Sequence, residues 1–186
     1  IGPKGQGFAL IDGELTSYGA ADFSLLYYAA EAFDDFTLKL QFRIFDPRVH
    51  NSGVFVRFRN PEQRAPDEIR QRALADRAPI DRNPAWSAVY SGLEVQIDDS
   101  AKGDPSKDFY GIPEPDGLWK NRTGAIYKIP AGDLIVHQDR HDEALQQYKP
   151  GPPLVPGVWF EYEIDVKGNS FTVALQNLES GAREQT

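Results

Sequence analysis

The chain contains no cysteine, so disulfide bonds, thiolate metal sites and cysteine nucleophiles are excluded, while the redox compartment stays open. Methionine is missing too, even at position 1, which predicts a processed or trimmed piece whose start, with any signal peptide, has been lost. No apolar run approaches the roughly 20 residues of a bilayer-crossing helix, so no membrane span is expected. Basic residues are the minority, 20 Lys and Arg against 28 Asp and Glu, giving a formal net charge of −8. Neutralising phosphates takes a basic surface, so nucleic acid is excluded as a partner.

What is present points to a packed core. The length of 186 residues suits one domain with a two-layer interior, and an aromatic content of 12% argues against disorder. Apolar and polar residues alternate with period two in several stretches. Phe36 to Phe45 sets Phe36, Leu38, Leu40, Phe42 and Ile44 against Thr37, Lys39, Gln41 and Arg43. Ser52 to Arg59 sets Val54, Val56 and Phe58 against Phe55, Arg57 and Arg59, and Leu93 to Asp98 sets Leu93, Val95 and Ile97 against Glu94, Gln96 and Asp98. Val158 to Val166 and Phe171 to Leu175 read as a hairpin turning at Lys167 to Ser170, with shorter strands at Phe8–Ile11, Glu14–Ser17, Leu25–Tyr28 and Gly124–Ile129.

Many such strands between Gly- and Pro-rich turns predict an all-β fold, an antiparallel β-sandwich or barrel. Pro66 to Arg77 spaces Ile69, Ala73 and Leu74 on one side amid charges, which predicts a short helix inserted between two strands. Two long loops follow, Asp98 to Leu118 and Gly132 to Pro156, and loops of that length are uncommon unless they serve a purpose.

The stretch Asn51-Ser52-Gly53-Val54-Phe55-Val56-Arg57 closely resembles a signature of the 3-keto-disaccharide hydrolase domain family. Ile11-Asp12-Gly13-Glu14-Leu15, the strand FTLKLQFR, GLEVQID from Gly92 to Asp98 and Thr123-Gly124-Ala125-Ile126-Tyr127 match its pattern in the same order. Pro156-Gly157-Val158-Trp159 with Tyr162-Glu163-Ile164 resembles the family's penultimate hairpin. The resemblance implies a concanavalin A-like jelly roll in secreted or periplasmic bacterial proteins that act on, or bind, sugars oxidised at the 3-position. Two departures stand out. The helical insertion and the 132–156 loop are larger than the family pattern, and the family's closing strand is not found before Thr186. A sandwich lacking that strand is expected to associate through its open edge, or to be continued by a further domain.

Glu94, Gln96 and Asp98 stand at i, i+2 and i+4 of one strand and therefore share a face. Alternation alone reads this as an ordinary solvated sheet face. The resemblance reads it as a carbohydrate-binding face, where carboxylates and amides take sugar hydroxyls and aromatic rings cover apolar ring faces. Two-carboxylate hydrolysis from this strand is disfavoured, because Glu94 and Asp98 would stand about 13 Å apart at the usual strand rise. Retaining glycosidases need about 5–5.5 Å and inverting ones about 6.5–9.5 Å.

A 3-keto sugar needs less. The ketone acidifies the C2 hydrogen, so one base can remove it and the C1 substituent then leaves. Glu94 is the candidate base and Arg57 the candidate stabiliser of the enolate, a role a divalent cation such as calcium could also fill. Gln96, Asp98, Phe55, Trp119 and Tyr127 are candidate substrate contacts. Arg57 also fits a solvated strand edge, and Asn51 and Ser52 fit a turn. His137 and His141, four apart, would share a helical face able to bind zinc, but no third ligand is identifiable. The run Asp98, Asp99, Asp104 and Asp108 lacks the spacing of a calcium loop. Three functional readings remain: an enzyme cleaving 3-keto-glycosides, with Glu94 in a pocket; a non-catalytic carbohydrate-binding module with a shallow aromatic groove; and a structural or protein-interaction domain with a broad apolar patch.

Overall fold

Alternation with period two commits the two sides of a strand to different environments, and the strands pair so that the apolar sides meet. The computed structural model describes residues 7–18, 24–75, 77–100, 122–127 and 148–186. Strands β1 (Gly7–Ile11) and β2 (Glu14–Tyr18) form an antiparallel hairpin. Its turn places Asp12 and Gly13 at φ of 50° and 85°, the doubly left-handed form that Asp-Gly adopts most readily. The strand β3 (Phe36–Phe42) follows, then β4 (Ser52–Val56), two helices α1 (Asp67–Ala75) and α2 (Trp86–Ser91), and β5 (Leu93–Ile97). The remaining strands are β6 (Ile126–Tyr127), β7 (Phe160–Lys167), β8 (Ser170–Asn177) and β9 (Arg183–Gln185).

Two antiparallel sheets result, one of four strands in the order β3-β7-β8-β9 and one of three in the order β4-β5-β6. Their inner faces share one apolar cluster. Val56, Val95 and Ile97 come from the smaller sheet; Phe160, Tyr162, Ile164, Val166, Val173 and Leu175 come from the larger. The fold is an antiparallel β-sandwich, as the alternation implied. Burying each of these large side chains contributes about 1.5–3 kcal/mol. Tyr162 carries a polar tip into that interior, and its hydroxyl donates to the Gln96 carbonyl across the sandwich at 2.6 Å. Burial pushes the Tyr162 phenol well above its ordinary value.

The inserted helix is present. Its carboxyl end closes with Ala78 N–H donating to the Ala73 carbonyl at 2.8 Å and Arg77 N–H to the Leu74 carbonyl at 3.0 Å. Arg77 there adopts a φ of 59°, the usual left-handed exit from a helix. Together α1 and α2 bury Ile69, Ala73, Ala78, Ile80, Val89 and Tyr90 in a second cluster that includes Phe55 of β4. The insertion is thus anchored on the outer face of the smaller sheet.

Three local expectations are corrected. Residues 25–28 form no strand. The strand expected over 52–59 stops at Val56, because Arg57 turns to a φ of 59° and breaks the alternation. The helix α2 was not anticipated, although Trp86, Val89 and Tyr90 have the i, i+3, i+4 spacing of a helical face.

Candidate functional site

The two sheets have outer faces of opposite character. On the larger sheet, charged side chains neutralise one another at the surface. Lys39 meets Glu163 at 2.8 Å, Arg183 meets the same carboxylate at 3.3 Å, and Lys167 meets Asp165 at 3.0 Å. The Lys39 ammonium holds the Glu163 carboxyl below its ordinary value, and the Thr37 hydroxyl with Lys167 does the same for Asp165. Such exposed pairs are worth little individually and need no functional explanation.

The smaller sheet differs. Along β5 both faces are buried: Val95 and Ile97 toward the core, Glu94 and Gln96 away from it, at 8% and 2% exposure. Removing a carboxylate from water is unfavourable unless the site gives something back, so Glu94 is the least expected buried group on this sheet. The register explains its setting. Phe55 and Tyr127 stand opposite Glu94 on either side, and Gly53 stands opposite Gln96. The Glu94 side chain leans over Gly53. A Cβ at position 53 would lie 2.7 Å from both Glu94 Cγ and Cδ, and closer still to Oε1. A glycine inside a strand often marks such a close approach, and this is the signal that sequence reading of the NSGVFVR stretch left unused.

Gln96 sits one pleat further along the same face. Its Oε1 accepts from the Ile97 N–H at 3.0 Å, and among the described residues no acceptor takes its Nε2. Its own carbonyl is fixed from the core side by Tyr162 and by the Gly124 N–H at 2.9 Å. The face therefore combines a buried carboxylate, a buried amide donor and the Phe55 ring, on a strand held from beneath.

Asp98 follows in the same row but is occupied with local structure. Its Oδ1 accepts from the Ser100 N–H and Oγ–H, both at 2.7 Å, and its Oδ2 from Asn51 Nδ2 at 3.3 Å. Asp99 similarly accepts from the Thr123 hydroxyl at 2.6 Å and the Leu154 N–H at 2.5 Å. These carboxylates tie the end of β5 to the segments before β4 and after β5.

The expected convergence of Arg57 on Glu94 is corrected. Left-handed backbone at Arg57 sends its guanidinium to the far rim of the sandwich, where Nη2 donates to the Gly168 carbonyl at 2.8 Å and lies 3.5 Å from Asp35. Glu94 leans the opposite way, toward Gly53, about 13 Å along the strand from position 57. Phe55 is where the sequence placed it, on the Glu94 face, but it also packs into the helical cluster. The backbone of Tyr127 pairs with Glu94. Trp119, His137, His141, Asp104 and Asp108 lie outside the described residues. Among the described residues no group of three or more His, Asp or Glu is arranged to hold a metal ion.

A family model described as a 3-keto-alpha-glucoside-1,2-lyase-like domain matches residues 3–179. No curated protein and no solved structure matches the chain.

Proposed function

Because the chain belongs to the 3-keto-alpha-glucoside-1,2-lyase-like domain family, we propose that it cleaves 3-keto-glycosides at C1 with Glu94 as the base. The observation that carries the reading is the burial of Glu94 on the outer face of β5, over a residue that has no side chain to displace it. The carboxylate takes the C2 proton, whose electrons pass into the C2–C3 bond as the C3 carbonyl becomes an enolate. When the enolate collapses, the C1–O bond breaks and its electron pair leaves with the aglycone oxygen, which takes up a proton. The products are an enone with a C1=C2 double bond and a free alcohol; water adding across that bond completes a hydrolysis.

Only one base is required, and Glu94 is the one carboxylate that β5 itself buries on this face. The Gln96 amide, on the same face about 7 Å along the strand, is the donor we assign to the enolate oxygen in place of Arg57. Phe55 supplies the apolar wall for the sugar ring. A secreted or periplasmic setting belongs to the same proposal and rests on the family resemblance. The test is a panel of 3-keto-glycosides beside their unoxidised parents, following aglycone release. Release from the 3-keto members alone is the expected result. Glycan binding without release from any of them would replace the enzyme reading with that of a binding module.

A further inference from the structure

At the rim opposite Glu94's lean, β4 ends, β5 begins and the β7–β8 turn returns. There the two sheets part around a cleft of about 560 Å³, lined by Asp34, Asp35, Arg57, Leu93, Asn169 and Phe171. Leu93 and Phe171 are apolar and pack on the core, so they give the cleft an apolar floor. Its margin is polar and of mixed sign. Asp35 caps the turn by accepting from the Gly168 N–H at 2.8 Å and also takes Arg57. The Asp34 side chain is fully exposed, and Arg57 Nη1 lies 3.8 Å from it. Among the described residues the Asn169 amide has no hydrogen-bond partner.

Directly before Asp34 lies an exposed aromatic pair. The rings of Tyr28 and Phe33 stack at 5.9 Å and 25°, although Tyr28 is 66% and Phe33 52% exposed. Phe33 is fixed in place by Phe36, edge-on at 6.3 Å, and Phe36 pairs with Val166 beside the turn. Single exposed aromatics are ordinary, but two stacked rings braced by a third and bordering a polar cleft form a platform.

We propose that this rim is a second carbohydrate-binding site, for a neutral pyranose of an unoxidised glycan, separate from the Glu94 face. A pyranose presents C–H bonds on its ring face and pairs of hydroxyls around its edge. Ring faces take the former; carboxylate, amide and guanidinium groups take the latter. The carboxylates together with the net charge of −8 disfavour an anionic ligand. A protein partner fits less well. Two half-exposed rings offer about 200 Å², against about 800 Å² per side in a stable interface, and docking would desolvate Asp34, Asp35 and Arg57. Leu93 faces this rim and Glu94 the other side of the same strand, so the two sites are separable by mutation. The inference goes beyond the lyase reading and does not depend on Glu94.

Affinity electrophoresis through gels containing a neutral glucan, such as dextran, starch or a soluble β-glucan, tests it. Wild-type protein is expected to be retarded by at least one, and Glu94→Gln equally so. Phe33→Leu, which keeps an apolar side chain but loses the ring face, should bind roughly three- to tenfold more weakly, and Tyr28→Ala should also be weakened. Circular dichroism of each variant verifies that it is folded. The proposal is overturned if no neutral glucan retards the wild type, or if retardation survives Phe33→Leu and disappears in Glu94→Gln. It is also overturned if the platform's loss instead abolishes a concentration-dependent dimer seen by sedimentation. Turnover of 3-keto substrates is measured separately, so failure here leaves the lyase reading standing, and the reverse.

Discussion

Replacing Gly53 with alanine separates the position of the Glu94 carboxylate from its chemistry. Gly53 has no left-handed φ, so its backbone accepts alanine, and in a strand that exchange alone would stabilise the fold by roughly 0.5–1 kcal/mol. The new methyl would lie 2.7 Å from Glu94 Cγ and Cδ. If the side chain were held in place, the overlap would cost about 1–3 kcal/mol. The colliding atoms are the far end of a flexible chain, however, so Glu94 is expected to swing away and relieve most of that strain. Stability then changes little. At roughly 2–4 °C per kcal/mol for a chain of this size, Tm should move by less than about 8 °C. Activity should fall much further, because losing a positioned base typically costs about a hundred- to ten-thousand-fold. The assay is aglycone release from a 3-keto-glycoside, with thermal unfolding alongside. In a Glu94→Gln background the same alanine should change the residual rate by less than about threefold, since no base remains to be displaced. Wild-type kcat in Gly53→Ala, or an equal loss in both backgrounds, would refute the reasoning.

Other outcomes follow from the same contacts. Tyr162→Phe removes the hydroxyl that crosses the core to Gln96, while the Gly124 N–H still serves that carbonyl; a loss of about 0.5–1.5 kcal/mol is expected in denaturant unfolding. The Tyr162 phenol is raised in the folded state, so the folded chain holds its proton where the unfolded chain releases it. Its contribution is therefore complete below the ordinary tyrosine value near 10 and declines as pH rises beyond it, which alkaline unfolding midpoints should record. Asp98→Ala should lower stability by about 1.5–3 kcal/mol in the same unfolding assay, because Ser100 and Asn51 lose a charged acceptor. The conservative Asp98→Asn, which keeps one oxygen acceptor but no charge, should lose less than the alanine variant. Asp46, held low by Arg48, and Glu163, held low by Lys39, have depressed values. Their contribution is present above the ordinary carboxylate range and is lost as pH falls from that range through the depressed folded values. Being exposed, it should also shrink when salt is added to an acid titration.

The strands were legible because their apolar residues recur at every second position and their turns carry Gly, Asp and Asn. Leu93 to Asp98 shows how far that goes: alternation correctly sent Val95 and Ile97 inward and placed Glu94 and Gln96 together on the other face. It could not show that the second face is buried as well, since that depends on what covers it. Arg57 marks the opposite case. Strand alternation put it beside Glu94, but one left-handed residue, rare outside glycine, sent its side chain to the other rim. No residue pattern in the NSGVFVR stretch announces that turn. Asp98 looked like a third member of a sugar-binding row; its Ser100 and Asn51 partners, two residues away and on another strand's approach, make it a loop anchor. Phe33 belongs to no alternating run and Tyr28 read only as the end of a short strand; only the folded chain stacks them.

The central claim is that the Glu94 carboxylate removes the C2 proton of a 3-keto-glycoside. Steady-state turnover of such a substrate by wild type and by Glu94→Gln, with glycan binding measured on both, tests it most directly. Gln preserves the size of the side chain and its hydrogen-bonding reach but removes the basic lone pair. The account expects kcat to fall by about a hundred-fold or more while binding stays within a few-fold. A Glu94→Gln variant that turns over the substrate within about tenfold of wild type would contradict it.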